Sequence, residues 1–217
     1  MPNDIKRSCI DCAVTLCDAH NPHKEFPDFC LSRQMTEEQR DKSLKEYFTS
    51  EEDKKIVRAA AVVEAEGYRK WPRVQETIEF ARQMGYKKIG IATCVALIKE
   101  SRTLAKMLRA NGFEVYGVGC KAGEVPKTEL GIHPKYHGPG PMACNPTLQA
   151  QLLAEEGTEF NLVMGLCVGH DSLFYKHSQA PTTTLVVKDR VMMHNTVMPL
   201  YHADSYYSHL MKSPEED

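Results

Sequence analysis

From residue 86 onward the chain alternates short apolar runs with helical stretches, and this alternation constrains the fold more than any other feature. The runs are KKIGIAT (87–93), FEVYGVG (113–119), NLVMGL (161–166) and TTLVV (183–187). Residues 97–110 have helical spacing and close on Asn111-Gly112. Residues 146–156 form another predicted helix, ended by Gly157, and a loop rich in Gly and Pro covers 121–142. Strand, helix, strand, helix, strand predicts a parallel sheet with crossover helices. Right-handed crossovers then give an α/β fold, a Rossmann-like three-layer sandwich with a mainly parallel sheet of order about 2-1-3-4.

The preceding segments differ in character. Residues 1–33 are polar, are interrupted by Asn21, Pro22 and Pro27, and hold four cysteines. So short a segment has too few large apolar residues to fold alone and needs a metal to organise it. Residues 34–85 read as helical and packed on the core. Thr36 is an N-cap followed by first-turn acids, Thr49-Ser50-Glu51 starts a second helix, and Pro72 opens a third that ends at Gly85. The α/β domain covers 86–211, with a final helix expected over 196–211 and a disordered tail at 212–217.

The cysteines carry the functional signal. The formal net charge is -2 and Lys and Arg are scattered, which argues against a nucleic-acid partner. The start MPNDIKRSC is polar with no apolar core of a signal peptide, and no run approaches the length of a membrane span. The expectation is a cytoplasmic protein, where disulfides are disfavoured and eight cysteines are ligands or reactive thiols.

Cys9, Cys12, Cys17 and Cys30 have the spacing C-x2-C-x4-C-x12-C. The C-x2-C pair puts two thiolates on one tight turn, and the other two can complete a tetrahedron. Zinc suits such a closed site. A [4Fe–4S] cluster also suits it, although the order is not that of the common ferredoxins. His20 and His23 lie between Cys17 and Cys30 and read as surface histidines.

The later cysteines repeat one position. Cys94, Cys120 and Cys167 each come at or just past the carboxyl end of a predicted strand, where open α/β sheets bind ligands. Cys144 precedes a predicted helix, whose N-terminus favours thiolate. Adjacent strands lie about 4.8 Å apart, so three neighbours span about 10 Å. One zinc wants its sulfurs within about 4 Å of each other. An iron–sulfur cubane has the wider footprint and fits better. Lys121, Glu124, His170, Asp171 and Lys188 fall on the same edge as candidate acid–base or anion-binding groups, with Asp189 and His194 just beyond. GVGCKAG has the glycine density of a phosphate loop but lacks its GK[ST] ending, and no nucleophile elbow occurs.

The stretches SCIDCAVTLC, GCKAGEVPKTELGI, MACNPTLQA, MGLCVGHDSLFYKHSQAPTTTLVVKDR and the HN at 194–195 resemble a prokaryotic family of metal-binding proteins, the domain of unknown function 1847. The resemblance implies metal binding through cysteines and supplies no reaction. It supports Cys9, Cys12, Cys17 and Cys30 as ligands and draws attention to Cys94, Cys120, Cys144 and Cys167. One departure is Met193, which precedes His194 where glycine is expected.

The functional expectation is a metal-binding protein of the iron–sulfur type. Its strand-end centre would serve redox or sulfur-transfer chemistry on a small molecule, as an oxidoreductase or a desulfurising enzyme. The alternatives are a non-catalytic metal carrier or sensor, and a zinc-stapled enzyme with a reactive cysteine. A small-molecule substrate or a redox partner is implied; a membrane is not.

Overall fold

The structure, a computed structural model, describes residues 6–18 and 25–212. His20, His23 and the tail at 213–217 lie outside the described residues. The chain falls into two compact units, Met1–Ala61 and Val62–Asp217. Among the described residues no helix is long and apolar enough to cross a membrane.

In the first unit, α1 (Leu31–Gln34) follows Cys30, and α2 (Glu37–Thr49) begins at the expected cap. The Thr36 hydroxyl accepts from the Gln39 N–H and the Gln39 side chain accepts from the Thr36 N–H, a reciprocal capping box. Helix α3 (Glu51–Gly67) starts with three acids in its first turn, as the macrodipole favours. The boundary between the units falls within it.

The second unit is the α/β sandwich. Helix α4 (Arg73–Met84) has Pro72 as its N-cap, one position earlier than expected, and closes on Gly85 in the left-handed region. The strands are β1 (Lys88–Thr93), β2 (Glu114–Gly119), β3 (Phe160–Met164) and β4 (Thr182–Val186). They form one all-parallel sheet in the order β2-β1-β3-β4, as the alternation predicts.

Helices α5 (Ile98–Ala110) and α6 (Pro146–Glu155) connect β1 to β2 and β2 to β3. These crossovers run in opposite directions along the sheet, so equal handedness puts the helices on opposite faces. The packing agrees. Alternate strand residues Ile89, Ile91, Phe160 and Leu162 face α4 and α5 through Ile78, Leu104 and Leu108. Their neighbours Ala92 and Val163 face Ala150 and Leu153 of α6. Each fully buried Leu or Phe here contributes about 1.5–3 kcal/mol.

Two elements differ from expectation. A helix not foreseen, α7 (His170–His177), carries the β3-to-β4 crossover and buries Phe174 against the α6 layer. The stretch 196–211 is not one helix but two short turns, α8 (Met198–Tyr201) and a 3-10 turn at Ser208–Met211. Leu200, Tyr201, Tyr206 and Leu210 are exposed there, so no buried apolar stripe holds a longer helix together.

Candidate functional site

Strand order places β1 between β2 and β3, and its carboxyl end lies where the crossovers diverge to opposite faces. That crevice is where α/β sheets of this kind hold ligands. Cys94 and Cys120 come directly after the last residues of β1 and β2, and their side chains join the core on the α6 and α7 face. Both are buried, while Cys144 is half-buried against the same cluster.

Backbone hydrogen bonds fix their positions. The Cys94 N–H donates to Met164 O at 3.1 Å, and the Cys120 N–H donates to Thr93 O at 2.8 Å. The Cys120 carbonyl accepts from the Asn145 N–H at 2.8 Å, which draws the start of α6 to the end of β2. Asn145 caps that helix through its side chain, accepting from the Leu148 N–H at 3.0 Å. Gln149, fully buried on α6, donates to the carbonyls of Thr93 at 3.2 Å and Val118 at 2.7 Å. It thus grips the last turns of β1 and β2 directly beneath the two thiols. The sequence offers no sign of this role, because a Gln in a helical stretch reads as surface.

The three cysteines gather in one cluster, Cys94 and Cys120 within it and Cys144 packed against it, and the Val95 N–H donates to Cys120 Sγ at 3.5 Å. Cys120 donation brings the Cys94 thiol down to about 5 against the resistance of burial, with Lys188 bonded to the same sulfur as a further cause. Cys144 is also lowered to about 5, first by Cys120 and then, against burial, by the charges of Lys121 and His170. Cys120 moves strongly upward, because bonding to Cys144 and Cys94 and its own burial all favour its proton. The proton is thus favoured on Cys120 and the thiolate on its two neighbours, with Lys188 and Lys121 as further causes.

The flanking groups divide. Lys121 donates to Met142 O at 2.6 Å and bonds the Cys144 sulfur. Lys188 reaches Cys94 across Gly165, and a Cβ on Gly165 would stand 3.6 Å from Lys188 Cε and clash with Leu97 Cδ1. Gly165 also has φ +62, so side-chain space and backbone both require glycine. His170 opens α7 with a buried Nδ1 that has no hydrogen-bond partner. The Asp171 carboxylate accepts from the Ser172 N–H at 2.8 Å, and Glu124 is exposed on a tight turn at φ 46. Neither acid is directed at the thiols by a hydrogen bond of its own.

Cys167 does not join the trio. Its sulfur is engaged by Arg190 Nη2 at 2.9 Å, and its carbonyl accepts the first N–H groups of α7. Arg190 is a site residue that sequence reading passed over. It stands in the loop after β4, which the Asp189 carboxylate shapes by accepting from the N–H groups of Val191 and Met192. Met193 and His194 follow at φ 50 and 69. The glycine expected before His194 therefore has a conformational reason, and Met193 adopts the left-handed geometry regardless.

The N-terminal quartet is more loosely placed. Cys9 begins a 3-10 turn, Cys9–Asp11, and Cys12 closes it by donating to Cys9 O at 3.2 Å. Cys30 is the N-cap of α1, and Cys9 and Cys17 are exposed. Arg7 lies over the Phe29 ring and Arg33 over Phe26, at 4.4 and 4.2 Å. Among the described residues no group of three or more His, Cys, Asp or Glu side chains stands ready to hold a metal. The strand-end trio nevertheless fits one by donor chemistry, since it gathers soft sulfur donors in one cluster, two of them already inclined to ionise.

Residues 30–185 match the family described as Protein of unknown function (DUF1847). An uncharacterized protein of Methanocaldococcus jannaschii, MJ0455, is 47% identical over 156 residues, spanning 72% of this chain and 80% of the relative. The chain belongs to the DUF1847 family. The matched region takes in Cys30, Cys94, Cys120, Cys144 and Cys167, while Cys9, Cys12 and Cys17 precede it.

Proposed function

We propose that this DUF1847 protein is a metal–thiolate protein whose working centre is the trio Cys94, Cys120 and Cys144, holding an iron–sulfur cluster of the [4Fe–4S] kind. One observation carries the reading: cysteines from three separate loops cluster at the ligand-binding crevice of the sheet. Thiolate donors select iron–sulfur clusters, zinc or Cu(I), and a three-thiolate set leaves a cubane one position for a small molecule. When bound, such a cluster supplies electron transfer and an open iron, which suits redox or sulfur-transfer chemistry.

The chain's own residues then have definite tasks. Lys188 and Lys121 balance the sulfur charge at Cys94 and Cys144. Gln149 holds the two strand ends in register. His170, with its unpartnered Nδ1, is placed to bond a ligand or move a proton. Cys167 is outside the ligand set. Cys9, Cys12, Cys17 and Cys30 form the second proposed site, for zinc or another cluster, with the turn at Cys9–Cys12 supplying its first two thiols. Thiolate clusters of this kind persist in a reducing compartment, so the cytoplasm is the proposed location.

A second reading has its own support. The low-pKa thiols at Cys94 and Cys144 also fit a reactive-thiol enzyme, stapled by zinc at the N-terminal quartet. Anaerobic reconstitution with iron and sulfide separates the two. The cluster reading expects visible absorption that Cys120→Ala abolishes. Zinc alone, with no cluster formed, refutes it and leaves the thiol reading.

A further inference from the structure

The carboxyl edge of the sheet carries more positive charge than its sulfurs account for, and the excess collects on one side. Three cations from two loops reach it: Lys121 after β2, and Lys188 and Arg190 after β4. Lys121 is occupied by the Met142 carbonyl and the Cys144 sulfur. Lys188 crosses Gly165 to Cys94.

Arg190 differs from both. Its side chain is exposed, and the bond found for it is a single Nη2 contact to Cys167 Sγ, a weak acceptor. A guanidinium has five N–H donors in a planar fork, so most of this fork is open.

Among the described residues no acid forms an ion pair with it. The Asp189 carboxylate is turned into its own loop, accepting from Val191 and Met192 at 2.9 and 2.8 Å. The Asp171 carboxylate accepts from the Ser172 N–H. The ion pairs found among the described residues all lie elsewhere. The loop that presents Arg190 also holds two non-glycine residues, Met193 and His194, at positive φ. Strain of this kind gathers at ligand clamps.

The geometry points to an oxyanion seat over the carboxyl end of β3, with Arg190 as its fork, and so to a substrate bearing a carboxylate or a phosphate group. This rests on the proposal that the neighbouring thiol trio is where chemistry occurs. The seat lies at Cys167, past the end of β3 and next to the strand that carries Cys94, so an anion held there brings the rest of a small molecule alongside the sulfur centre. Cys167 serves as the resting partner of Arg190, and the incoming oxyanion replaces it. The fork accepts a carboxylate or a phosphate in bidentate fashion, whereas a lysine at the same place is only a point charge.

The test is calorimetric titration of the protein as purified, at low salt, with inorganic phosphate in one arm and succinate in the other. Iron content is measured on the same samples. Saturable binding of at least one anion is expected, weakened about tenfold or more by Arg190→Ala and partly retained by Arg190→Lys. The stronger arm tells which oxyanion the seat prefers. No saturable binding in either arm, or equal affinity in Arg190→Ala, overturns the assignment. Binding without iron leaves the seat standing and removes the cluster; iron without binding does the reverse.

Discussion

The backbone N–H of Val95 points at the sulfur of Cys120 across 3.5 Å. The turn leaving β1 is therefore hydrogen-bonded to the thiol that ends β2, and the two central strands share one sulfur-lined edge. Cys120 is the hub of that edge: it is 2% exposed, it clusters with Cys94 and Cys144, and it is the first cause of their lowered pKa values.

Thiol labelling in the metal-free protein should follow this arrangement. Cys94 and Cys144, lowered to about 5, are thiolates at neutral pH and should alkylate at rates that stay level above about pH 7. The rates should fall as pH drops through about 5. Cys120 should remain unlabelled while the fold persists. Peptide mapping after iodoacetamide treatment reads all three, and a common midpoint near the ordinary thiol value of 9.0 would contradict the hub.

Stability of the metal-free protein should depend on pH in a fixed direction. Between about 5 and the ordinary value of 9.0, unfolded Cys94 and Cys144 bind protons that the folded thiolates have released. Stability from these groups therefore rises with pH across that window and is lost as pH falls through about 5. Above 9.0 the sign reverses for Cys120, which keeps its proton when folded and loses it when unfolded. Urea midpoints at pH 6 and pH 8 should differ in favour of pH 8. Cys120→Ala, which removes the donor both thiolates depend on, should shrink the difference.

Gln149→Leu tests how the strand ends are held. It removes donors to two buried carbonyls at 3.2 and 2.7 Å. The expected cost is about 2 kcal/mol, or a melting temperature lower by about 4–8 °C in a domain of this size. A change within about 1 °C would show that Gln149 is not what keeps β1 and β2 together there.

Gly165→Ala tests the path of Lys188. The added Cβ meets Leu97 and the lysine stem, and the residue must also hold φ +62. A loss of about 1–3 kcal/mol is expected, with the Cys94 labelling profile displaced to higher pH as the lysine is pushed away. An unchanged Cys94 profile would separate Lys188 from that thiol.

Much of this was legible in the sequence, for a physical reason. Short apolar runs alternating with helical spacing leave few topologies, and the order β2-β1-β3-β4 with Cys94 central is the expected one. The equivalence of Cys94, Cys120 and Cys167 was legible only in part. The first two follow Thr93 and Gly119 directly, the last residues of their strands. β3 ends earlier, at Met164, and Gly165 turns the chain away before Cys167 arrives. Residues 170–177 went unread as a helix because they are short and bury only Phe174. Gln149 and Arg190 were invisible for a different reason. Their roles come from the backbone carbonyls and the sulfur that the fold brings to them, and no local pattern records those partners.

The most direct measurement is iron and acid-labile sulfide per chain after anaerobic purification, for the wild type and for single alanine variants at Cys94, Cys144 and Cys167. The account predicts that Cys94→Ala and Cys144→Ala each lose about four irons, one cluster's worth, while Cys167→Ala keeps the wild-type content. Zinc without iron in the wild type, or iron unchanged in Cys94→Ala, would contradict it.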